Sequence, residues 1–389
     1  MASKKRAMRF ILLLGIVSLF ADMTYEGARS VTGPFLAQLG ANATTVGIVF
    51  GFGELTAYGL RLISGYISDR TGKYWMIAIP GYFINLLAVP LLALAGRWEI
   101  AAFLIICERF GKAVRNPARD AMLSHATKEI GHGWGFGIHE ALDQTGAVLG
   151  PLIVAAAVFA GGTYRNGFAF LLIPALIAIA VLLAARFHYP QPRDMEADTK
   201  GTDGKSFPRV FRLYLIAIGF IAMGYADYPL IAYHFLKTSS VSPNWIPLLY
   251  AVAMGVDALA AIVFGYFFDR LGIITLIGAA FISLFFAPLV FLGGFGAALL
   301  GAALWGVGMG AQESIMRAMV AEMAPADRRG TAYGIFNTGY GLFWFAGSAL
   351  MGFLYDMSIS YLVVFSVAAQ LVAIPLLFLV RQRQKESAA

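Results

Sequence analysis

The chain has 389 residues, of which 59% are hydrophobic and 13% are charged, and its formal net charge is +7. A soluble domain carries about 25% charged and 45–50% apolar residues, so this chain could not cover a water-facing surface and a soluble fold is excluded. The apolar content also excludes a disordered chain, and Cys107 as the single cysteine excludes a disulfide scaffold. The class that is left is a polytopic helical membrane protein, which agrees with the mean hydropathy of +0.73.

Long apolar runs divide the chain into predicted membrane-spanning helices, each of which needs roughly 20 apolar residues. The unbroken run over 170–185 favours helices over the short alternating strands of an outer-membrane barrel. The first span contains Asp22, Glu26 and Arg29 and is too long for a signal peptide, so we expect it to be retained. The twelve predicted spans are 10–37, 45–68, 74–95, 99–123, 134–160, 166–187, 210–236, 244–268, 272–292, 295–322, 331–355 and 360–381.

The basic residues predict the orientation of these spans. With the amino terminus in the cytoplasm, 23 of the 29 Lys and Arg residues fall in cytoplasmic segments, and only Arg97, Arg165 and Lys237 fall outside. This asymmetry predicts that both termini are cytoplasmic, in a plasma membrane or the inner membrane of a bacterium or archaeon. The positive charge therefore needs no nucleic-acid partner to explain it, and lipid headgroups are sufficient.

A polar segment and an internal repeat predict two halves. Residues 188–209 are rich in Pro, Gly, Asp and Lys, which is typical of a flexible cytoplasmic linker between six-helix bundles at 1–187 and 210–389. With a shift of 200 residues, GYISDRTG at 65–72 meets GYFFDRLG at 265–272. With a shift of 197 residues, the glycines at 133, 137 and 150 meet those at 330, 334 and 347. Such parallel repeats predict a substrate site near the middle of the membrane.

Three motifs resemble those of the major facilitator superfamily. GYISDRTGK at 65–73 resembles the signature of its loop between the second and third spans, and Arg109 resembles its basic residue in the fourth span. Gly137-x8-Gly146-x3-Gly150-Pro151 resembles the fifth-span motif of its proton-antiporting exporters, although Val154 and Ala155 stand where that motif has two glycines. The resemblance implies a twelve-helix secondary transporter that works by alternating access.

Some of these residues are typical of a gate. Gly65 and Gly72 permit close helix approach and a tight turn, and Asp69 could accept hydrogen bonds from a helix amino terminus. The alternatives are a loop that only sets topology and plain glycine packing in the fifth span. In the fourth span, Glu108, Lys112, Arg115 and Arg119 form one polar stripe toward the cytoplasm, which could instead bind an anionic substrate or anchor the chain near the inner membrane surface. The gating candidates are Gly65, Asp69, Arg70, Gly72, Lys112, Arg115, Arg119, Gly146, Gly150, Pro151, Asp269 and Arg270.

Charged residues inside the spans predict the transport chemistry. An ionised side chain that faces lipid at mid-bilayer costs at least ~2.5–3.5 kcal/mol, so Asp22, Glu26 and Arg29, spaced by 4 and 3 on one helix face, must point inward. Glu54, Tyr58 and Arg61 repeat this spacing in the second span. The alternative for each acid is a permanently paired structural ion. The candidates for proton coupling are Asp22, Glu26, Glu54, Glu108 and Asp143.

The candidate substrate contacts combine polar and aromatic residues of both halves. The carboxyl-terminal half has fewer charges and more tyrosines, which favours contact with an amphipathic solute. The candidates are Tyr25, Arg29, Tyr58, Arg109, Glu140, Tyr225, Asp227, Asp257, Glu313 and Tyr340.

No catalytic motif is present, since the chain has no HExxH, no Walker loop, no GxSxG and no Cys/His metal spacing. We therefore expect a non-enzymatic, monomeric transporter without cofactor or metal site, driven by an ion gradient or by the gradient of its substrate. The leading hypothesis is proton-coupled export of a small amphipathic or cationic compound. Transport of an organic anion by the basic residues, a divalent-metal carrier and a membrane receptor on the same scaffold are the alternatives.

Overall fold

A computed structural model describes residues 2–127, 132–191, 209–323 and 329–388. All its regular elements are helices, as the composition predicts. Proline occurs inside α1, α3, α4, α5 and α15, where it removes one backbone hydrogen bond of the helix. The helices are α1 Ala2–Gln38, α2 Ala43–Thr71, α3 Tyr74–Leu91, α4 Trp98–Thr127, α5 His132–Phe159, α6 Tyr164–Phe170, α7 Leu172–His188, α8 Arg209–Gly224, α9 Tyr228–Thr238, α10 Ile246–Leu271, α11 Ile273–Ser283, α12 Phe286–Leu292, α13 Phe295–Met323, α14 Arg329–Met357 and α15 Ile359–Ala388.

Ten helical segments in the described part of the chain are long and apolar enough to cross a membrane. They include four spans made of two pieces each, namely α3 with the short turn Leu92–Leu94, α6 with α7, α8 with α9, and α11 with α12. Helices α4 and α14 are long enough to complete the predicted twelve. The charges of α4 explain why hydropathy alone does not select it, because it carries Glu108, Arg109, Lys112, Arg115 and Arg119. The all-helical, multi-pass fold class is confirmed.

The chain separates into two compact units that do not follow the linker alone. Unit 1 comprises residues 1–32 and 56–200, and unit 2 comprises residues 33–55 and 201–389. The carboxyl end of α1 and the first half of α2 thus belong to unit 2. Residues 192–208, most of the predicted linker, lie outside the described residues. The division into bundles 1–187 and 210–389 therefore stays a prediction.

Unit 1 holds α4 between two neighbours. Helix α3 packs along α4, and α4 also contacts α5. A methyl group on Gly111 would lie 2.9 Å from Asn85 Cα, and one on Gly81 would lie 2.8 Å from the Arg115 backbone nitrogen. These glycines let α3 and α4 approach closely, and this approach buries the middle of the charged helix α4.

Unit 2 is built around α8, α10 and α13. Helix α10 packs along α13, and α8 packs against α14 and α15. Between α8 and α9 the helix is interrupted at residues 225–227, and Pro229 lies in the first turn of the second piece. The carbonyl groups that the interruption leaves without a helical partner are bonded inside the unit. The Gly224 oxygen accepts from Ser366 Oγ at 2.6 Å, and the Ala226 oxygen accepts from Trp305 Nε1 at 2.9 Å. This is how broken helices are tolerated at membrane depth.

The last glycine of the repeated loop has a positive φ in both copies. Gly72 has φ +63° and Gly272 has φ +60°, a left-handed region that favours glycine. Each amide donates to the carbonyl oxygen four residues earlier, of Ser68 and Phe268 respectively, at 2.8 Å. The match between the two segments therefore reflects a real helix-ending turn.

Candidate functional site

Helix α1 carries the acids of the candidate site on one buried face. Asp22 and Glu26 are one turn apart and are only 6% and 7% exposed. The Tyr25 hydroxyl, which lies between them in sequence, donates a hydrogen bond to Asp22 Oδ1. The hydrogen-bond partner that the structure gives Asp22 is thus a neutral phenol.

Lys112 of α4 reaches the same acids. Its Nζ atom lies 3.8 Å from Glu26 Oε1 and 3.9 Å from the centre of the Tyr25 ring. Arg29 Nη1 lies 4.0 Å from the same Glu26 oxygen. The sequence spacing pairs the two acids with Arg29 alone, and the structure adds Lys112 from a helix 86 residues further along the chain. Two buried acids and two cations thus form one cluster with Tyr25 at its centre.

Arg115 lies next to this cluster in an unusual environment. It is 0% exposed, and its guanidinium carbon lies 4.5 Å from the Tyr82 ring centre and 5.6 Å from the Tyr25 ring centre. None of its three side-chain nitrogens has a hydrogen-bond acceptor among the described residues. Cation–π contacts stabilise a buried guanidinium only in part. Of the stripe that the sequence predicts in α4, Lys112 thus turns toward α1, whereas Arg115 lies between Tyr25 of α1 and Tyr82 of α3.

Arg119, the last of that stripe, contacts α1 and α5. Its Nη2 atom lies 2.8 Å from Asp120 Oδ1, and its Nη1 atom lies 4.0 Å from Asp143 Oδ2. Nη1 also donates to Ser18 Oγ at 3.2 Å, and Ser18 Oγ is 2.9 Å from His139 Nε2. The sequence did not single out Ser18, although it lies one turn before Asp22 on the same helix face. On α5, His139 lies one turn before Asp143 in the same way.

Glu108 and Arg109 form a separate pair in the same unit. Arg109 Nε lies 3.2 Å from Glu108 Oε2, and Asn85 Nδ2 donates to Glu108 Oε1 at 2.7 Å. All three side chains are buried. Glu108 thus has the environment of a structural ion, which makes it a weaker candidate for proton coupling than Asp22.

The glycines of the fifth span explain how α5 reaches α1. A methyl group on Gly146 would overlap the Leu19 carbonyl oxygen and lie 3.0 Å from Asp22 Cβ. A methyl group on Gly150 would overlap the Met23 carbonyl oxygen and lie 2.8 Å from the Gly27 nitrogen. Pro151 follows them within α5. These residues set the distance between α1 and α5 at the level of Asp22.

Unit 2 contains a second buried cluster, centred on the helix interruption. Asp227 lies there and its Oδ2 atom accepts from Trp344 Nε1 at 3.4 Å. The Tyr225 hydroxyl donates to the Trp305 carbonyl oxygen, and the Tyr228 ring lies 4.3 Å from that of Tyr250. Sequence reasoning missed Trp305 and Tyr250, since aromatic residues are common in membrane helices and nothing in the local pattern distinguishes these two.

Other predicted substrate contacts of unit 2 lie in different surroundings. The Tyr340 hydroxyl donates to Gln312 Oε1 at 2.8 Å, and its ring is 5.6 Å from that of Trp344, so it joins the aromatic cluster. Asp257 is buried in α10 where that helix meets α13. Glu313 is exposed.

The remaining candidates lie on α2, on α5 and in the two repeated loops. Glu54 is buried and belongs to unit 2, whereas Tyr58 and Arg61, one and two turns further along α2, belong to unit 1 and form a cation–π pair at 5.0 Å. Glu140 is exposed. The loop residues Asp69, Arg70, Asp269 and Arg270 are also exposed, and Arg70 and Arg270 lie over the rings of Tyr66 and Tyr266. Among the residues that the structure describes, no group of three His, Cys, Asp or Glu side chains could hold a metal ion.

Known proteins resemble this chain along most of its length. The family model of the Major Facilitator Superfamily matches residues 12–347 and, in a second placement, 215–389. An uncharacterized protein of Mycobacterium tuberculosis is 40% identical over 382 residues, with 96% of this chain and 93% of the relative covered. An uncharacterized MFS-type transporter of Methanocaldococcus jannaschii is 28% identical over 363 residues, with 90% and 89% covered.

Two further similarities are partial or concern the fold alone. The multidrug resistance protein MdtH of Proteus mirabilis is 33% identical over 119 residues, which is 31% of this chain and 30% of the relative. The crystal structure of the nucleoside transporter NupG superposes with a TM-score of 0.73 at 13% identity, with 96% of this chain and 98% of that chain covered.

Proposed function

The chain belongs to the Major Facilitator Superfamily and is a multi-pass membrane transporter, and we propose that it couples proton movement to export of a small amphipathic or cationic solute. Transport proceeds by alternating access in the inner membrane of a bacterium or archaeon, with both termini in the cytoplasm and the monomer as the working unit. Protons bind in unit 1, and the solute binds in the aromatic cluster of unit 2.

The contact of Asp22 with Tyr25 carries the proton part of this proposal. Glu26 has Lys112 and Arg29 within 4.0 Å, so its charge is balanced by cations. Asp22 is bonded to a neutral hydroxyl, which accepts or donates according to whether the carboxyl group is ionised. Protonation of Asp22 removes a buried negative charge. Deprotonation restores that charge, which Lys112 and Arg115 attract. Asp22 is therefore the carrier, and Glu26 holds Lys112 in place.

The surroundings of Asp227 support a cationic or amphipathic solute. A carboxylate next to tyrosine and tryptophan rings suits an organic ammonium group, which is attracted both by the charge and by the ring faces. The partial similarity to MdtH, a multidrug resistance protein, is consistent with this class of solute. Antiport then requires that protonation of Asp22 and binding of the cationic solute favour opposite access states.

The test is solute flux in proteoliposomes with and without an imposed pH gradient. Asp22→Asn keeps the shape of the side chain but cannot release a proton, so gradient-driven flux should be abolished while solute binding persists. Glu26→Gln should weaken flux by releasing Lys112. Glu99→Gln, at an exposed acid paired with Arg97 at 2.9 Å, is the matched control and should transport normally. Full gradient-driven flux in Asp22→Asn, Glu26→Gln and the double variant would exclude these acids as the proton site.

Arg115 favours a second candidate function, transport of an organic anion. Its buried guanidinium has the geometry to bind a carboxylate or phosphate in a bidentate manner. A thermal-stability screen of the purified protein at two pH values distinguishes the candidates, because a ligand of the native state raises its apparent stability. Stabilisation by organic cations supports the leading proposal, whereas stabilisation by organic anions that is lost in Arg115→Gln supports the second.

A further inference from the structure

The first turn of α2 is capped by an acid from the far end of the chain. Asp356, in the last turn of α14, accepts hydrogen bonds from the Ala43 nitrogen at 3.1 Å, the Thr44 nitrogen at 2.8 Å and Thr44 Oγ1 at 2.6 Å. The two segments are 312 or 313 residues apart in sequence, and both belong to unit 2. A carboxylate in this position satisfies two free amide groups and interacts favourably with the helix dipole.

Helix α2 does not need this acid in order to begin. Asn42 already provides a local cap, because its Oδ1 atom accepts from the Thr45 nitrogen at 2.9 Å and from Thr45 Oγ1 at 2.7 Å. The bonds to Asp356 are therefore additional to an ordinary helix start. Their consequence is to join the beginning of α2 to the end of α14.

Glycine contacts continue this junction along both helices. A methyl group on Gly47 would overlap the Ser348 carbonyl oxygen, one on Gly51 would lie 3.0 Å from Ser348 Cβ, and one on Gly352 would lie 3.1 Å from Thr44 Cα. Ser348 itself is only 1% exposed. The two helices thus meet over several turns through small residues, and the rings of Phe52 and Phe345 also pack edge to face at 6.3 Å. Packing of this kind can separate without breaking hydrogen bonds, whereas the polar cap attaches the two helices through three of them.

Helix α2 is also the element that would carry such a movement. It is continuous from Ala43 to Thr71, yet its residues up to Leu55 belong to unit 2 and those from Thr56 belong to unit 1. When the two units move against each other during transport, this helix cannot follow both. One of its two sets of contacts must therefore open. The contacts with Asp356 lie at the end of α2 that the distribution of basic residues predicts to be outside.

We propose that Asp356 is a positioning residue for transport that latches the outer end of α2 to α14 and is released when the transporter opens to the outside. The latch rests on alternating access and is independent of the coupling ion and of the solute. It is distinct from the repeated cytoplasmic loops at Asp69 and Asp269, since it uses an acid that no repeat predicts.

The test measures how often this junction opens. In a Cys107→Ala background, Ser348→Cys places a nearly isosteric thiol in the contact between α14 and α2. The rate of its reaction with a membrane-impermeant maleimide, added from outside, follows the fraction of time for which the contact is open. Loss of a helix cap shifts such an equilibrium by about fivefold. Asp356→Asn should therefore raise the labelling rate about fivefold, and Asp356→Glu should restore part of the protection.

Two further variants keep the proposal falsifiable. Thr44→Val removes one of the three bonds without changing a charge, and it should raise labelling by about twofold even if Asp356→Asn fails to fold. Asn42→Ala removes the local cap of the same helix and should leave labelling unchanged. An unchanged rate in both Asp356→Asn and Thr44→Val, an equal rise in Asn42→Ala, or a rise seen only with reagent on the cytoplasmic side would overturn the latch.

This experiment fails or succeeds separately from the flux assay. Labelling requires neither solute nor pH gradient, so a rise in Asp356→Asn together with pH-independent flux would support the latch and contradict proton coupling. A flat labelling rate together with loss of flux in Asp22→Asn would contradict the latch and support proton coupling.

Discussion

Gly146 provides a direct test of how α5 is held against the proposed proton carrier. In Gly146→Ala the new methyl group would overlap the Leu19 carbonyl oxygen and lie 3.0 Å from Asp22 Cβ. Both neighbours are parts of α1 that cannot rotate away, so α1 and α5 must separate. Overpacking of this kind costs about 1–3 kcal/mol. The separation also moves Asp22 relative to Arg119 and Asp143, so flux should fall.

Gly137 is the matched control on the same helix. No heavy atom lies within 4 Å of the position that a new methyl group would take there, so Gly137→Ala meets open space. Both substitutions gain the same helix propensity, about 0.5–1 kcal/mol, and the difference between them is therefore the packing cost alone. For a chain of 389 residues this difference corresponds to a melting temperature about 1–4 °C lower in Gly146→Ala.

The assay is thermal unfolding of both purified variants in detergent, followed by flux in proteoliposomes. Equal melting temperatures and equal flux in Gly146→Ala and Gly137→Ala would refute the reasoning, because α1 and α5 would then have room that the structure does not show. A loss of flux at an unchanged melting temperature would show that flux depends on the position of Asp22 and not on the stability of the fold.

Two further predictions concern orientation and the cytoplasmic loop. A reporter inserted at Asn42 should be accessible from outside and one after residue 200 from the cytoplasm, as measured by impermeant labelling of intact cells; an external signal at 200 would reverse the orientation. Asp69→Asn should leave expression nearly unchanged but lower flux strongly by unbalancing the two access states, whereas normal flux would reduce this loop to a topology signal.

Composition and spacing alone determined the class of this protein and the direction in which its charges face. Apolar content is a sum over local residues, so it requires no knowledge of packing to predict membrane-spanning helices. The spacing of Asp22 and Glu26 by four residues puts both on one face of any helix, whatever lies opposite. The repeated GYxxDRxG segment similarly predicts the same turn twice, and Gly72 and Gly272 both have positive φ.

The partners of those charges depended on the tertiary structure. Lys112 is 86 residues from Glu26 in sequence, and whether it faces α1, α3 or lipid depends on how α4 is rotated, which the glycines at 81 and 111 help to set through their contact with α3. The same holds for Ser18 with His139 and for Arg115 between two tyrosine rings. Periodicity specifies a helix face but not the neighbouring helix.

The helix interruption at residues 225–227 and the cap from Asp356 show the same limit most clearly. The sequence predicts one span over 210–236, and only the carbonyl partners Ser366 and Trp305 make its interruption tolerable inside a membrane. Asp356 looks like any acid at a helix end, and its bonds to Ala43 and Thr44 join segments more than 300 residues apart. Hydropathy and spacing act over a few turns, whereas such contacts arise only when the helices have assembled, so the tertiary structure alone decided them.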